Sequence, residues 1–259
     1  MNYPFKNCLL VVVFNYNNCV VSKNFFEQLY APYFKKIIFY SDLGNEYTGV
    51  HNIDIFQGYF AYRFYSHLWN SYQSEISQSG GVFYLMDDNI VNPRILENMN
   101  PSKIIGANTD GDWIPQETGW WWSNNCNGAF GNLAIDKIKA DSNFIKYSNI
   151  DFVGSFGDFL YIPTKYITQN LINLIEIFSK YNLFLEIAIP TICNYLSKDE
   201  SSFNVYDKMI LWNDRERFDD LSFVKKCLLE DEYLFLHPIK VNNSPENRKT
   251  LARTFFQIC

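Results

Sequence analysis

Short unbroken apolar runs, separated by polar and turn-forming residues, organise the first ninety positions of the chain. Cys8 to Phe14 (CLLVVVF) is apolar at every position, the pattern of a strand covered on both faces in a parallel sheet rather than one with a wet face. Lys36 to Tyr40 (KIIFY) predicts a second strand that ends at Ser41-Asp42. Gly81 to Met86 (GVFYLM), between Ser-Gly-Gly and a pair of carboxylates, predicts another buried strand. Between the first two, Ser22 is placed to cap a short helix running through Leu29. His51 to Phe56 reads as a third strand, and Tyr59 to Ile76 as a long helix with Phe60, Phe64 and Leu68 on its apolar stripe. The order strand, helix, strand, strand, helix, strand predicts an α/β fold.

Beyond about residue 110 the pattern becomes irregular, which sets a first half over 1–110 against a second half over 111–259 of one domain. Trp113, the triplet Trp120-Trp121-Trp122 and an Asn/Gly-rich stretch from Asn124 to Asn132 come first. Short strands are predicted around Phe152 to Ile162, and residues 164–198 read as largely helical, with Pro190 at a break or in a first turn. There is no internal repeat.

Composition narrows the classes. A length of 259 residues, 47% of them hydrophobic, suits one domain with a substantial core and excludes a disordered chain. The formal charge of −6, without a basic cluster, argues against nucleic acid as a partner. Six cysteines without C-x-x-C spacing indicate neither a zinc knuckle nor a disulfide framework, and reduced thiols are expected. No stretch has the length of a membrane span and no secretory leader is seen, so a cytoplasmic protein is expected. A catalytic piece of a longer, anchored chain fits the same sequence.

The chemistry concentrates at Asp87-Asp88-Asn89, directly after the apolar run 81–86. In open α/β sheets ligands collect at the carboxyl ends of strands, and a hard divalent cation needs protein oxygens held on stiff backbone. An Asx-type turn leading into Asn92-Pro93 accounts for the same residues without a ligand. Far along the chain stands Leu236-His-Pro-Ile-Lys240, which ends a short apolar run.

Together with Gly58-Tyr-Phe-Ala-Tyr-Arg63, Ser155-Phe-Gly-Asp-Phe-Leu-Tyr-Ile-Pro163 and Phe184-Leu-Glu-Ile-Ala-Ile-Pro190, these segments resemble, in order and over most of the chain, nucleotide-sugar-dependent glycosyltransferases of the GT-A fold. The likeness is strongest to a viral and eukaryotic group of these enzymes. It implies a GT-A type, Rossmann-like mixed sheet flanked by helices. It further implies a D-x-D-like metal motif at Asp88, with Asp87 on the metal, its waters or the ribose, and His237 as a further ligand of Mn2+ or Mg2+. Lys240 would lie near the phosphates. Asn15 and Asp42 follow the first two strands, where the family holds nucleobase and ribose, with Phe14 near enough to stack. Arg63 would reach the nucleotide from its helix, with His67 one turn later on the same side.

Glycosyl transfer also calls for a carboxylate across the sugar from the metal, and the resemblance offers Glu186 first and Asp158 second. Asp42 equally suits a plain turn, Arg63 an exposed arginine, Glu186 a favourable first-turn charge and Asp158 a strand-edge turn. Indole rings cover the apolar faces of sugars, so Trp113 and Trp122 are the acceptor candidates. The implied activity moves a sugar from a nucleoside diphosphate sugar, a UDP sugar by preference, to a carbohydrate hydroxyl. Three other readings compete: a carbohydrate-binding module built on the tryptophans, a degenerate transferase fold that binds a partner protein, and a sugar nucleotidyltransferase. The last would want a glycine-rich basic loop after the first strand, which Phe14-Asn-Tyr-Asn-Asn18 does not supply.

Overall fold

The computed structural model describes residues 3–15, 19–43, 47–106, 129–196, 203–205, 210–212, 223, 226, 234–237 and 239. Trp113, Trp122 and Lys240 lie outside the described residues.

The apolar runs become the centre of a mixed seven-stranded sheet. The strands β1 (Leu9–Phe14), β2 (Lys36–Ser41), β3 (His51–Asn52) and β4 (Gly81–Met86) are mutually parallel in the order β3-β2-β1-β4. The sheet continues beyond β4 through β7 (Phe159–Pro163), β6 (Ile104–Gly106) and β8 (Phe203–Val205). Strand β7 runs antiparallel to both β4 and β6. A second sheet holds β5 (Ile90–Val91), β10 (Phe235–His237) and β9 (Ile210–Trp212), with β10 in the middle. The described helices are α1 (Cys19–Tyr30), α2 (Phe64–Ser77), the single turn α3 (Pro93–Leu96), α4 (Asn132–Ala140), α5 (Gln169–Lys180) and α6 (Leu185–Leu196). The result is an α/β fold with a mixed sheet flanked by helices, compatible with a Rossmann-like arrangement.

Alternation along the buried strands sorts the core into two layers. Leu9, Val11 and Val13 of β1 join Val82, Tyr84 and Met86 of β4 against Phe64 and Leu68 of α2 and Leu171, Ile175 and Ile187 of α5 and α6. Leu10, Val12 and Phe14 face the other way with Phe83 and Leu85, against Phe26 and Tyr30 of α1 and Phe235 of β10. Both faces are covered, which is why these strands are apolar at every position.

Several boundaries differ from the sequence reading. Ser22 does not cap α1; the helix starts at Cys19, and Ser22 is fully buried within it. The third strand keeps only His51 and Asn52, because the chain then turns through left-handed conformations at Phe56, Gln57 and Gly58. The long helix starts as a 3-10 turn over Ala61–Arg63 before α2, which is interrupted at Tyr72. The short strands sought around 152–162 reduce to β7.

Pro190 is neither at a break nor in a first turn: it stands inside α6. A proline there cannot donate to the carbonyl four residues back, that of Glu186. That carbonyl instead accepts the backbone N–H of Ser155 at 2.9 Å. The segment before β7 is tied to α6 by Thr191 and Asn194 as well. Thr191 Oγ1 accepts the Val153 N–H at 3.2 Å, and Asn194 Nδ2 donates to the Asp151 carbonyl at 3.2 Å.

Candidate functional site

The acidic tip of β4 extends the ladder of the sheet on both sides. The Asp87 N–H donates to the Val13 carbonyl at 3.0 Å, and the Met86 N–H donates across to the Asp158 carbonyl at 2.9 Å. Because β7 is antiparallel to β4, the residue that enters β7 meets the residues that leave β4. Asp158 therefore arrives beside Asp87 and Asp88 by strand polarity alone.

On the other side, the Ile239 N–H donates to the Asp88 carbonyl at 2.7 Å, and Leu236 pairs with Ile90 in the small sheet. This seats His237 over the tip. Its Nε2 lies 3.5 Å from Asp88 Oδ1 and 3.8 Å from Asp158 Oδ2. Phe156 meets the imidazole edge to face, with ring centroids 4.9 Å apart. The three side chains are 10 to 14% exposed, recessed but reachable from solvent. Below them the Tyr84 hydroxyl is held well above the ordinary tyrosine pKa. Burial is the main cause, followed by the charges of Asp158, Tyr65, Asp88 and Asp87 in that order. Three carboxylates thus act on one buried phenol.

The two neighbouring aspartates part ways. Asp87 Oδ1 accepts the Asn15 N–H at 3.4 Å, joining the tips of β4 and β1, whereas Asp88 reaches His237. Asn89 is fully buried, its Nδ2 donating to the Asp158 carbonyl at 2.9 Å. Its Oδ1 has no hydrogen-bond partner among the described residues.

Glu186 lies in the first turn of α6, as anticipated, and its backbone touches the segment that carries Asp158. A methyl group on Gly157 would stand 2.9 Å from the Leu185 carbonyl oxygen and 3.1 Å from Glu186 Cα. Only glycine permits this approach. The Leu185 N–H donates to the Tyr59 carbonyl at 2.9 Å, fixing the start of α6 against the loop before α2.

Other candidates have structural employment. The Phe14 ring is 1% exposed and stacks on Phe39 at 5.7 Å inside the core, so it offers no surface to a base. Asp42 Oδ2 accepts the Gln57 N–H at 2.7 Å, while its Oδ1 accepts those of Leu43 at 2.9 Å and Ile55 at 3.2 Å. Arg63 Nη1 donates to Asp54 O and Oδ2, both at 2.8 Å, and Nη2 to the Ser179 carbonyl and Asn182 Oδ1. His67 does not share these partners; its Nδ1 is 3.0 Å from the Tyr40 hydroxyl, beside His51.

The residues offer a divalent cation suitable donor atoms, an imidazole nitrogen and carboxylate oxygens. A contact of 3.5 or 3.8 Å is too long for a hydrogen bond between the imidazole and either carboxylate. Ligands each about 2.0–2.2 Å from one cation stand about 2.8–3.8 Å apart at angles of 90 to 120°. The two separations lie in the upper part of that range. Among the described residues no group of three or more His, Cys, Asp or Glu side chains is placed to hold a metal ion as it stands. The arrangement is an open set of two carboxylates about an imidazole.

A groove of about 750 Å3 elsewhere, lined by Asp141, Asn143, Lys146, Asn173, Glu176 and Lys180, holds none of the candidate residues. There Asp141 is already bonded to Lys180 at 2.7 Å and Tyr181 at 2.9 Å, which keeps its carboxyl well below the usual range. Among the described residues no helix is long and apolar enough to cross a membrane. No family model matches the chain, and the comparison with curated proteins found no match.

Proposed function

We propose that this chain is a metal-dependent GT-A-type glycosyltransferase that moves a sugar from a nucleoside diphosphate sugar, a UDP sugar by preference, to a carbohydrate hydroxyl. The observation that carries the proposal is the imidazole of His237 between Asp88 and Asp158 at the carboxyl end of β4. The strand order β2-β1-β4 puts that end beside the crevice where α/β sheets take their ligands.

Asp88, His237 and Asp158 would hold Mn2+ or Mg2+. Such a cation supplies charge neutralisation for a departing diphosphate. Asp87, bonded to the Asn15 N–H, stiffens the junction of β1 and β4 along which the nucleotide would lie. With Asp158 close to His237, Glu186 remains the first choice for the carboxylate that faces the reacting sugar. Its task is to take the proton of the acceptor hydroxyl or to stabilise positive charge at the anomeric carbon. Lys240 keeps the phosphate role that the resemblance gives it, and Trp113 and Trp122 the acceptor role argued from their indole rings.

The test is thermal unfolding with UDP in the presence and absence of Mn2+. UDP raises the melting temperature only when Mn2+ is present, and Asp88→Ala and His237→Ala remove the shift. An undiminished shift in Asp88→Ala refutes the metal assignment. Slow hydrolysis across a panel of nucleotide sugars then identifies base and sugar together.

A further inference from the structure

Two of the three histidines in the chain meet at the edge of the large sheet. His51 opens the edge strand β3, which β2 and β1 separate from the acidic tip of β4. His67 comes from α2, and its ring centroid lies 4.9 Å from that of His51, with the planes inclined at 46°. Each ring is held by a phenol: His51 Nε2 lies 2.6 Å from the Tyr72 hydroxyl, and His67 Nδ1 lies 3.0 Å from that of Tyr40. Tyr40 is the register partner of His51 between β2 and β3. Tyr72 is the residue at which α2 leaves helical backbone, with φ of −133° and ψ of 26°. A strand pairing and a helix interruption together set the two rings.

One nitrogen of each ring is thereby engaged. The other, Nδ1 of His51 and Nε2 of His67, has no hydrogen-bond partner among the described residues, and neither atom is sealed from solvent. Burial, and then Lys36, hold His51 below its ordinary pKa of 6.5, and burial, and then His51, do the same for His67. Both rings are therefore mostly neutral at pH 7, and a phenol oxygen that accepts one ring N–H leaves the lone pair on the other nitrogen. Lys36 is itself occupied: its Nζ stands 4.5 Å over the Tyr72 ring and 3.4 Å from Glu75 Oε1.

We infer that His51 and His67 form a second cation site, one for a transition ion of the Zn2+ type, at the edge of the sheet. Nitrogen ligands bind Zn2+ at about 2.0–2.1 Å, so two imidazoles on one ion at about 90–110° hold their ring centres about 4.5–5.2 Å apart. The 4.9 Å between these rings lies within that span. The hydroxyls of Tyr40 and Tyr72 are the outer partners that fix the tautomer and orientation of a metal-binding histidine. Among the described residues no third His, Cys, Asp or Glu completes a metal group with this pair, so water fills the remaining positions of the ion. An imidazole pair takes Zn2+, Ni2+ or Cu2+ in preference to Mg2+, which favours carboxylate and water. The bound ion ties the two-residue edge strand to α2, and the site is independent of the proposed transferase function.

Calorimetry with Zn2+ alone, on an Asp88→Asn/His237→Gln protein in which the site at β4 is silenced, tests the inference. In that background Zn2+ binds and Mg2+ does not. His51→Gln and His67→Gln, added singly, each abolish the binding, and Tyr72→Phe, which keeps both ligands, weakens it about tenfold. Electron paramagnetic resonance with Cu2+ shows coupling to two imidazole nitrogens, and to fewer in either histidine variant. Circular dichroism confirms that each variant is folded, and Tyr72→Phe with the Cu2+ spectrum carries the test should a histidine variant fail to fold. Undiminished Zn2+ binding in His51→Gln or His67→Gln overturns the site, as does a background protein that binds no Zn2+ or a Cu2+ spectrum without two coupled nitrogens. Unchanged affinity in Tyr72→Phe overturns the orienting role of the phenol.

Discussion

Gly157→Ala tests the contact that holds the two candidate catalytic carboxylates together. The added methyl would face the Leu185 carbonyl oxygen at 2.9 Å, the Leu185 carbonyl carbon at 3.1 Å and Glu186 Cα at 3.1 Å. All three are backbone atoms in the first turn of α6, so no side-chain rotation relieves the contact. Ordinary contacts of this kind begin near 3.4 Å, and the segment must therefore part from the helix by about half an ångström. Overpacking of this sort costs about 1–3 kcal/mol. For a chain of this size that lowers the melting temperature by about 2–12 °C. Gly80→Ala is the control, because its methyl would meet the side chain of Cys8 at 3.0 Å and no backbone atom closer than 4.0 Å. The displacement also moves Asp158 relative to Glu186. A misplacement of 1 Å at reacting groups costs about a hundredfold, so about tenfold is expected in donor hydrolysis. Circular dichroism melts of both variants and a hydrolysis assay read the two effects. A Gly157→Ala protein that melts within a degree of wild type refutes the packing argument. A melt lowered as expected, with unchanged hydrolysis, refutes the link from that packing to the chemistry.

Arg63→Met removes a guanidinium that ties the loop at Asp54 to Ser179 and Asn182. The loss is about 1.5–3 kcal/mol in chemical denaturation, while the Mn2+-dependent UDP shift stays as in wild type; a lost shift would return Arg63 to the nucleotide. His51 and His67 pack with ring centroids 4.9 Å apart. Burial, and then Lys36, hold His51 below its ordinary pKa of 6.5; burial, and then His51, do the same for His67. A group with a folded pKa below its unfolded value leaves stability intact above about pH 6.5, and stability falls as the pH drops through the unfolded and then the folded value. Melting temperature should therefore decline from pH 7 toward pH 5, and the decline should shrink in a His51→Gln/His67→Gln variant; an equal decline places the titration elsewhere.

What the sequence disclosed follows the strength of each local signal. The runs at 9–14 and 81–86 are apolar at every position because both faces of β1 and β4 are covered, so strand and burial were both legible. The same uniformity hid which ring points where, and Phe14 proved to be core. The end of β3 was missed because Ile53 and Ile55 continue an alternating pattern into a turn whose cause, the Asp42 carboxylate, lies more than ten positions away. Ser22 has the right chemistry for a cap but stands one turn inside its helix. Asp88 and Glu186 were marked by their places at a strand end and a helix start. The pairing of Asp158 with His237 depends on an antiparallel strand docking and on a second sheet. Neither leaves a mark in the periodicity of a single segment.

A ring closure at one residue decides how the loop and the helix behave as a body. Because the pyrrolidine of Pro190 withholds its donor, the helical carbonyl of Glu186 is left to reach sideways and take the Ser155 N–H. The bond that would have stayed within the helix is turned into a rivet between two separate pieces of chain. A shift of the segment that carries Asp158 is thereby coupled to the backbone that carries Glu186.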